Sequence, residues 1–208
     1  MSHSDAALGG SHISVMEPSP FAVPAKKMAM YLFIISDIMT FSACLVVYGF
    51  LRNSTADWPR PYHASTVVNV MVMTFILVTS SLVMALAVRA ARAGDRAGAF
   101  RLTMITWAGG LIFVVLHVRE WLGMIAQGVT LFKNPWGTGV FGGAYFSVTG
   151  MELLHVIAGL IAILIVVLGY KSGRYSEIDL ENCGLFWQFI NVVWMFVVPL
   201  IYLMNVAS

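Results

Sequence analysis

Thr149-Gly-Met-Glu-Leu-Leu-His-Val-Ile-Ala-Gly159 sets a carboxylate, Glu152, and an imidazole, His155, three residues apart inside an otherwise apolar run from Phe141 to Tyr170. Three residues apart on an α-helix is one face. A run this long predicts a membrane-crossing helix, because roughly 20 apolar residues span a hydrocarbon core about 30 Å thick. An ionisable pair near its middle is costly unless another polar group answers it.

Working outward, four more apolar runs predict spans at Met28–Leu51, Val67–Val88, Leu102–Ala126 and Gly184–Asn205. The 208 residues are 59% hydrophobic and only 11% charged, against about 25% charged in soluble domains. The expected fold is therefore all-α: a polytopic membrane helical bundle of five transmembrane helices. Residues 1–27 are polar and punctuated by Pro18, Pro20 and Pro24. They read as a mobile N-terminal tail in which His3 and His12 are inert, with residues 28–208 as one transmembrane domain. A net charge of +2 gives no reason to expect nucleic acid as a partner. Cys44 and Cys183 show neither metal-finger nor redox spacing and read as small apolar fillers.

The basic residues orient the chain. Lys26, Lys27, Arg89, Arg92, Arg96, Arg101, Lys171 and Arg174 fall on one side, and Arg52, Arg60 and Lys133 on the other. This predicts a cytoplasmic N-terminus and an outer C-terminus. Trp58 and Trp136 suit an interfacial aromatic belt, and Arg89–Arg101 reads as a solvated inner loop. Pro199, the only proline within a span, predicts a kink. No paired Gly- or Pro-broken spans suggest an inverted-repeat transporter.

Six ionisable residues fall inside the predicted spans: Asp37, His117, Arg119, Glu120, Glu152 and His155. At 1.5 Å per residue, Asp37 lies roughly 14 Å from the inner end of its span, and Glu152 and His155 roughly 17 and 21 Å from the outer end of theirs. His117 and Glu120 lie roughly 14 and 9 Å below the outer end of the third span. Residues from three helices are thus expected to share one polar layer, with Glu152, His155 or His117 as neighbours of Asp37. The layer suits proton handling, or equally a hydrogen-bonded network that orders the bundle. Glu152-x-x-His155 has the spacing of carboxylate-bridged di-iron bundles, but the second motif is reversed, as His117-x-x-Glu120, so no metal site is expected. Gly109, Gly110, Gly142, Gly143, Gly150 and Gly159 allow close helix approach. Arg119, near the outer interface, is expected to reach a lipid phosphate.

These stretches also carry a resemblance. Thr149-Gly-x-x-x-Leu-His-Val-x-x-Gly159 resembles the Thr-Gly-Phe-His-Gly-Leu-His-Val-x-x-Gly signature of heme-copper oxidase subunit III. Phe186-Trp-Gln-Phe-Ile-Asn-Val-Val-Trp194 resembles that family's Trp-His-Phe-x-Asp-Val-Val-Trp. Tyr31-Leu-Phe-Ile-Ile-Ser-Asp-Ile-Met-x-Phe41 resembles its first shared helix, and Glu120-Trp121 its Glu-Tyr/Trp pair. Five spans resemble the short bacterial form shared by cytochrome c oxidases and bo-type quinol oxidases. Glu152 and Leu153 replace a His-Gly of the signature, and Gln188 and Asn191 replace His and Asp.

The resemblance implies an accessory subunit of a bacterial terminal oxidase, in the cytoplasmic membrane, that reduces oxygen to water and moves protons. It implies no catalytic residue, heme or copper in this chain, the redox centres belonging to the partner catalytic subunits I and II. It implies bound phospholipid, with Arg119 and Trp121 as lipid contacts, and a place in a larger respiratory assembly. Asp37 would be the family's membrane carboxylate, and Gly150, Gly159, Trp187 and Trp194 its packing residues. A component of a nitric oxide reductase and a free-standing proton-linked transporter stand as alternatives.

Overall fold

The computed structural model describes residues 23–207. Most of the expected N-terminal tail, with His3 and His12, lies outside the described residues. Five helices follow one another: α1 (Ala25–Ser54), α2 (Ala64–Arg92), α3 (Arg96–Ala126), α4 (Val140–Lys171) and α5 (Glu177–Val197). Each is long and apolar enough to cross a membrane.

Helix α2 lies against α3 and α5, α3 against α4, and α4 against α5, closing a four-helix bundle. Helix α1 packs outside it on the α4–α5 edge. Only Phe41 and Tyr48 of α1 are buried, and Leu32, Ile35, Met39 and Val46 face outward. In lipid, apolar contact alone does not drive helices together, so close packing and interhelical hydrogen bonds must. Both are present along α5. The Trp187 indole donates to Ser80 Oγ at 3.1 Å and the Trp194 indole to Thr74 Oγ1 at 3.0 Å. Gln188 Nε2 donates to Ser81 O at 2.9 Å, and the Ser81 hydroxyl donates to Gln188 Oε1. Trp187 is fully buried because Gly110 and Gly159 leave it room. A Cβ on Gly110 would stand 2.5 Å from Trp187 and 2.7 Å from Leu160, and one on Gly159 3.3 Å from Trp187.

Two helices begin six or seven residues before their apolar runs. Helix α3 starts at Arg96, where Asp95 caps it by accepting from the Gly98 amide at 2.8 Å. Helix α5 starts at Glu177 on a capping box between Ser176 and Asp179. Capping supplies partners for first-turn amides regardless of hydropathy. The expected inner loop Arg89–Arg101 is accordingly corrected: only residues 93–95 lie outside helices.

Pro199 opens the α5 ladder into a π-helical turn, Val198–Tyr202, followed by a 3₁₀ turn, Leu203–Asn205. A missing amide hydrogen is an ordinary cause of such a distortion. Asn205 then ties three segments together. Its Nδ2 donates to the Tyr48 hydroxyl at 2.5 Å and to Ile201 O at 2.8 Å, and its Oδ1 accepts from Arg52 Nε at 3.2 Å. The Tyr62 amide donates to Asn205 O at 3.3 Å, and the Ala207 amide to Tyr62 O at 2.8 Å. Trp58 packs edge-on against Tyr48 and Phe141, so it is part of this aromatic cluster, whereas Trp136 lies at its exposed rim.

Candidate functional site

The polar residues expected in one layer occupy three separate places. The first is the α1–α4 contact, where Asp37 Oδ2 stands 3.4 Å from His155 Nε2, with side chains 16% and 21% exposed. His155 Nδ1 lies 2.7 Å from the Met151 carbonyl oxygen. A carbonyl only accepts, so Nδ1 carries a hydrogen. Asp37 Oδ2 faces the remaining nitrogen, Nε2, without a hydrogen bond to it. Phe41 holds the imidazole edge-on from α1, at a centroid distance of 4.9 Å. Asp37 makes no ion pair with His117 among the described residues, and neither Glu152 oxygen has a hydrogen-bond partner.

The second place is the end of the α3–α4 seam opposite the basic loops. Glu120 accepts from the Tyr145 hydroxyl at 3.2 Å and from the Tyr202 hydroxyl at 3.0 Å, which ties α3 to α4 and to the π-turn. Glu120 also borders a cleft of about 220 Å³ lined by Ser65, Thr66, Asn69, Arg119 and Gln127. Arg119 is exposed there and forms no salt bridge among the described residues. Trp121, one residue beyond Glu120, is half-buried. Its indole donates to Thr149 Oγ1 at 3.1 Å, and its ring lies against Gly150 and Phe146.

The third place is the middle of the α3–α4–α5 core. His117 and Glu152 are both fully buried there. His117 sits among the rings of Phe113, Trp121 and Trp194, at centroid distances of 5.5, 5.9 and 5.6 Å. Among the described residues, no group of three or more His, Cys, Asp or Glu has a metal-holding arrangement.

A fourth cluster joins α1 to α5 at the basic end. Lys26 Nζ pairs with Asp179 Oδ1 at 2.7 Å, and Glu181 pairs with Lys27 and, at 2.5 Å, with Arg92. These groups precede the apolar part of α5, which starts at Gly184. The Lys27 hydrogen bond, with Arg92 beside it, holds the Glu181 carboxyl below the usual carboxylate range. Sequence reasoning used Lys26, Lys27 and Arg92 only as orientation signals and did not single out Asp179 or Glu181. It also missed Tyr145, Tyr202 and Asn205, whose spacing from their partners carries no local pattern.

The family model for cytochrome c oxidase subunit III matches residues 7–206, nearly the whole chain. The chain belongs to the cytochrome c oxidase subunit III family. It is 29% identical over 186 residues to a quinol oxidase subunit 3 of Bacillus spizizenii, covering 87% of this chain and 88% of that one. It is equally, 29%, identical over 189 residues to a cytochrome c oxidase subunit 3 of Alkalihalophilus pseudofirmus, covering 88% of each. A heme-copper oxidase subunit I+III of Aeropyrum pernix matches over 202 residues at 29% identity, covering 90% of this chain and 24% of that relative. The subunit III family gives the five-helix bundle its context: a multi-pass protein of the bacterial inner membrane.

Proposed function

We propose that this chain is the accessory subunit III of a bacterial heme-copper terminal oxidase, associated with catalytic subunits I and II and itself free of redox chemistry. The observation that carries this reading is the family match across residues 7–206 on a five-helix bundle. The fused relative of Aeropyrum pernix, named subunit I+III, supports a direct contact with subunit I. Heme and copper do not fit this chain's own residues. His117 is enclosed by aromatic rings in the core, while His155 lies with Asp37 at the α1 contact, so the two imidazoles share no common space.

The chain's contribution, on this reading, is lipid binding and support of proton uptake by its partner. Two apolar grooves of about 500 Å³ flank α1. One is lined by Val47, Tyr48, Leu131 and Val140, the other by Ile38, Phe41, Phe189 and Val192. They suit acyl chains, and the Arg119 cleft with Trp121 nearby suits a headgroup at the interface. The 3.4 Å approach of Asp37 to His155, at the α1–α4 contact, supports a proton-linked role for Asp37. The bias of basic residues supports an N-terminus on the cytoplasmic side.

Intact-complex mass spectrometry after mild solubilisation tests the assignment. The expected result is this chain flying with two larger oxidase subunits, with phospholipid retained. Stable, active purification of the chain alone would favour a free transporter and overturn the assignment. A partner with nitric oxide reductase activity would overturn it as well.

A further inference from the structure

The mouth of the α2–α3 seam, at the end opposite the basic loops, holds two opposite charges that do not pair with each other. Arg119 and Glu120 are neighbours on α3, about 100° apart around the helix. Both line the cleft of about 220 Å³ whose other wall is Ser65, Thr66 and Asn69 of α2. Arg119 is exposed and forms no salt bridge among the described residues. Glu120 is fixed from behind, because the Tyr145 and Tyr202 hydroxyls donate one to each of its oxygens. A carboxylate offers about four acceptor sites, so two remain for a donor in the cleft. Asn69, whose Nδ2 donates to Met73 Sδ at 3.4 Å, adds an amide oxygen on the opposite wall.

The cleft is too small for a ring-bearing cofactor, since pockets for ligands of that size begin at about 300 Å³. Exposed apolar residues lead away from it along both helices. Val72 continues the stripe of Ser65 and Asn69, and Val115 and Ile112 precede Arg119 by four and seven residues; all three are exposed. Farther along, the seam closes: a Cβ on Gly109 would stand 3.2 Å from Ser80 and 3.9 Å from Ile76. A ligand seated here therefore has a small polar end in the cleft and an apolar body outside the bundle. Its polar end answers both charges. A phosphodiester oxygen accepts from the guanidinium, and an ammonium N–H donates to Glu120. A quaternary ammonium has no N–H to give, and a phosphoglycerol group has no cation.

We propose that the Arg119–Glu120 cleft is a recognition site for a phosphoethanolamine headgroup, with the phosphodiester against Arg119 and the primary ammonium against Glu120. This assignment rests on the cleft being a headgroup seat, as proposed above, and adds the class of headgroup. One lipid occupies the cleft, its acyl chains lying along Val72, Ile112 and Val115. The site is separate from the two grooves beside α1, whose linings carry no charged side chain.

Native mass spectrometry tests the proposal on the chain isolated with whatever subunits co-purify. The probes are dioleoyl phosphatidylethanolamine, its mono-, di- and trimethylated forms, and dioleoyl phosphatidylglycerol. Affinity of the tightest-bound lipid is expected to fall about tenfold from the ethanolamine form to the trimethylated form, as charge-assisted N–H donors are lost. A flat methylation series, or tighter binding of phosphatidylglycerol, would overturn the proposal. That series needs no variant, so it decides the matter even where E120Q does not assemble. R119Q is expected to weaken all these lipids alike, and E120Q to abolish only the ethanolamine preference; a preference that survives E120Q places the headgroup elsewhere and overturns the assignment. Binding that depends on Arg119 without headgroup preference would overturn the phosphoethanolamine class and leave the headgroup seat standing. Binding indifferent to R119Q would overturn both. Glycerophosphoethanolamine, which lacks acyl chains, is expected not to displace the lipid at equal concentration; displacement would overturn a lipid as the occupant.

Discussion

Asp37 of α1 and His155 of α4 face each other at 3.4 Å, Oδ2 to Nε2, on the one edge of the bundle where α1 is attached. Both side chains are mostly but not fully enclosed, so their contact contributes to docking α1. Substituting Asp37 by Ala is expected to cost about 1–3 kcal/mol of stability, through the partner left unsatisfied. In the assembled complex it should slow proton uptake while oxygen reduction continues. Thermal unfolding and stopped-flow proton uptake measure the two effects. Complete loss of oxygen reduction in a fully assembled D37A complex would contradict the accessory role.

Gly110 and Gly123 lie on the same helix and should respond oppositely to alanine. At Gly110 the new methyl meets Trp187 at 2.5 Å and Leu160 at 2.7 Å, and Trp187 is fully buried. Overpacking of this kind costs about 1–3 kcal/mol. At Gly123 nothing lies within 4 Å of the added carbon, so G123A should be neutral or gain up to about 1 kcal/mol from helix propensity. Denaturation midpoints of the two variants, compared side by side, check the packing of α3 on α5.

Glu120 accepts from two hydroxyls, and each should be measurable by subtraction. Y202F removes the 3.0 Å bond and leaves Tyr145 as the remaining partner. The expected loss is about 1–2 kcal/mol. In a double-mutant cycle with E120Q the two changes should be non-additive. Additive effects would mean that the contact carries no stability.

Glu181 makes the attachment of α1 sensitive to acid. Lys27 and Arg92 hold its carboxyl below the usual carboxylate range in the folded state. The stabilisation is therefore fully present above the unfolded-state value and is lost as pH falls through the lower folded-state value. Spin labels on the N-terminal turns of α1 and α5 should separate in acid. E181Q should show that separation already at neutral pH, and no difference between E181Q and wild type would argue against the cluster as an anchor.

Much of this was legible from residue order alone. Five apolar runs, each long enough to cross a membrane, set the helix count, because backbone groups in lipid must be satisfied within a helix. Asp95 and Ser176 were visible as polar residues, but their capping extended α3 and α5 past the apolar runs by six and seven residues. Hydropathy cannot register that extension, since capping acts on amides and is blind to the side chains that follow. The kink expected at Pro199 is present as a π-helical turn.

Depth along each span was also legible, because rise per residue is constant. It predicted one shared level for Asp37, His117, Glu120, Glu152 and His155, which fall instead in three separate places. Depth says nothing of azimuth between helices. Only tertiary packing decided that Asp37 meets His155, that Glu120 meets Tyr145 and Tyr202, and that His117 and Glu152 face a core with no polar partner. Azimuth depends on contacts such as Gly110 and Gly159 against Trp187, which rotate each helix until its small residues admit its neighbour's large ones. The sequence by itself determined a five-helix subunit III; the tertiary structure decided which of its charges meet.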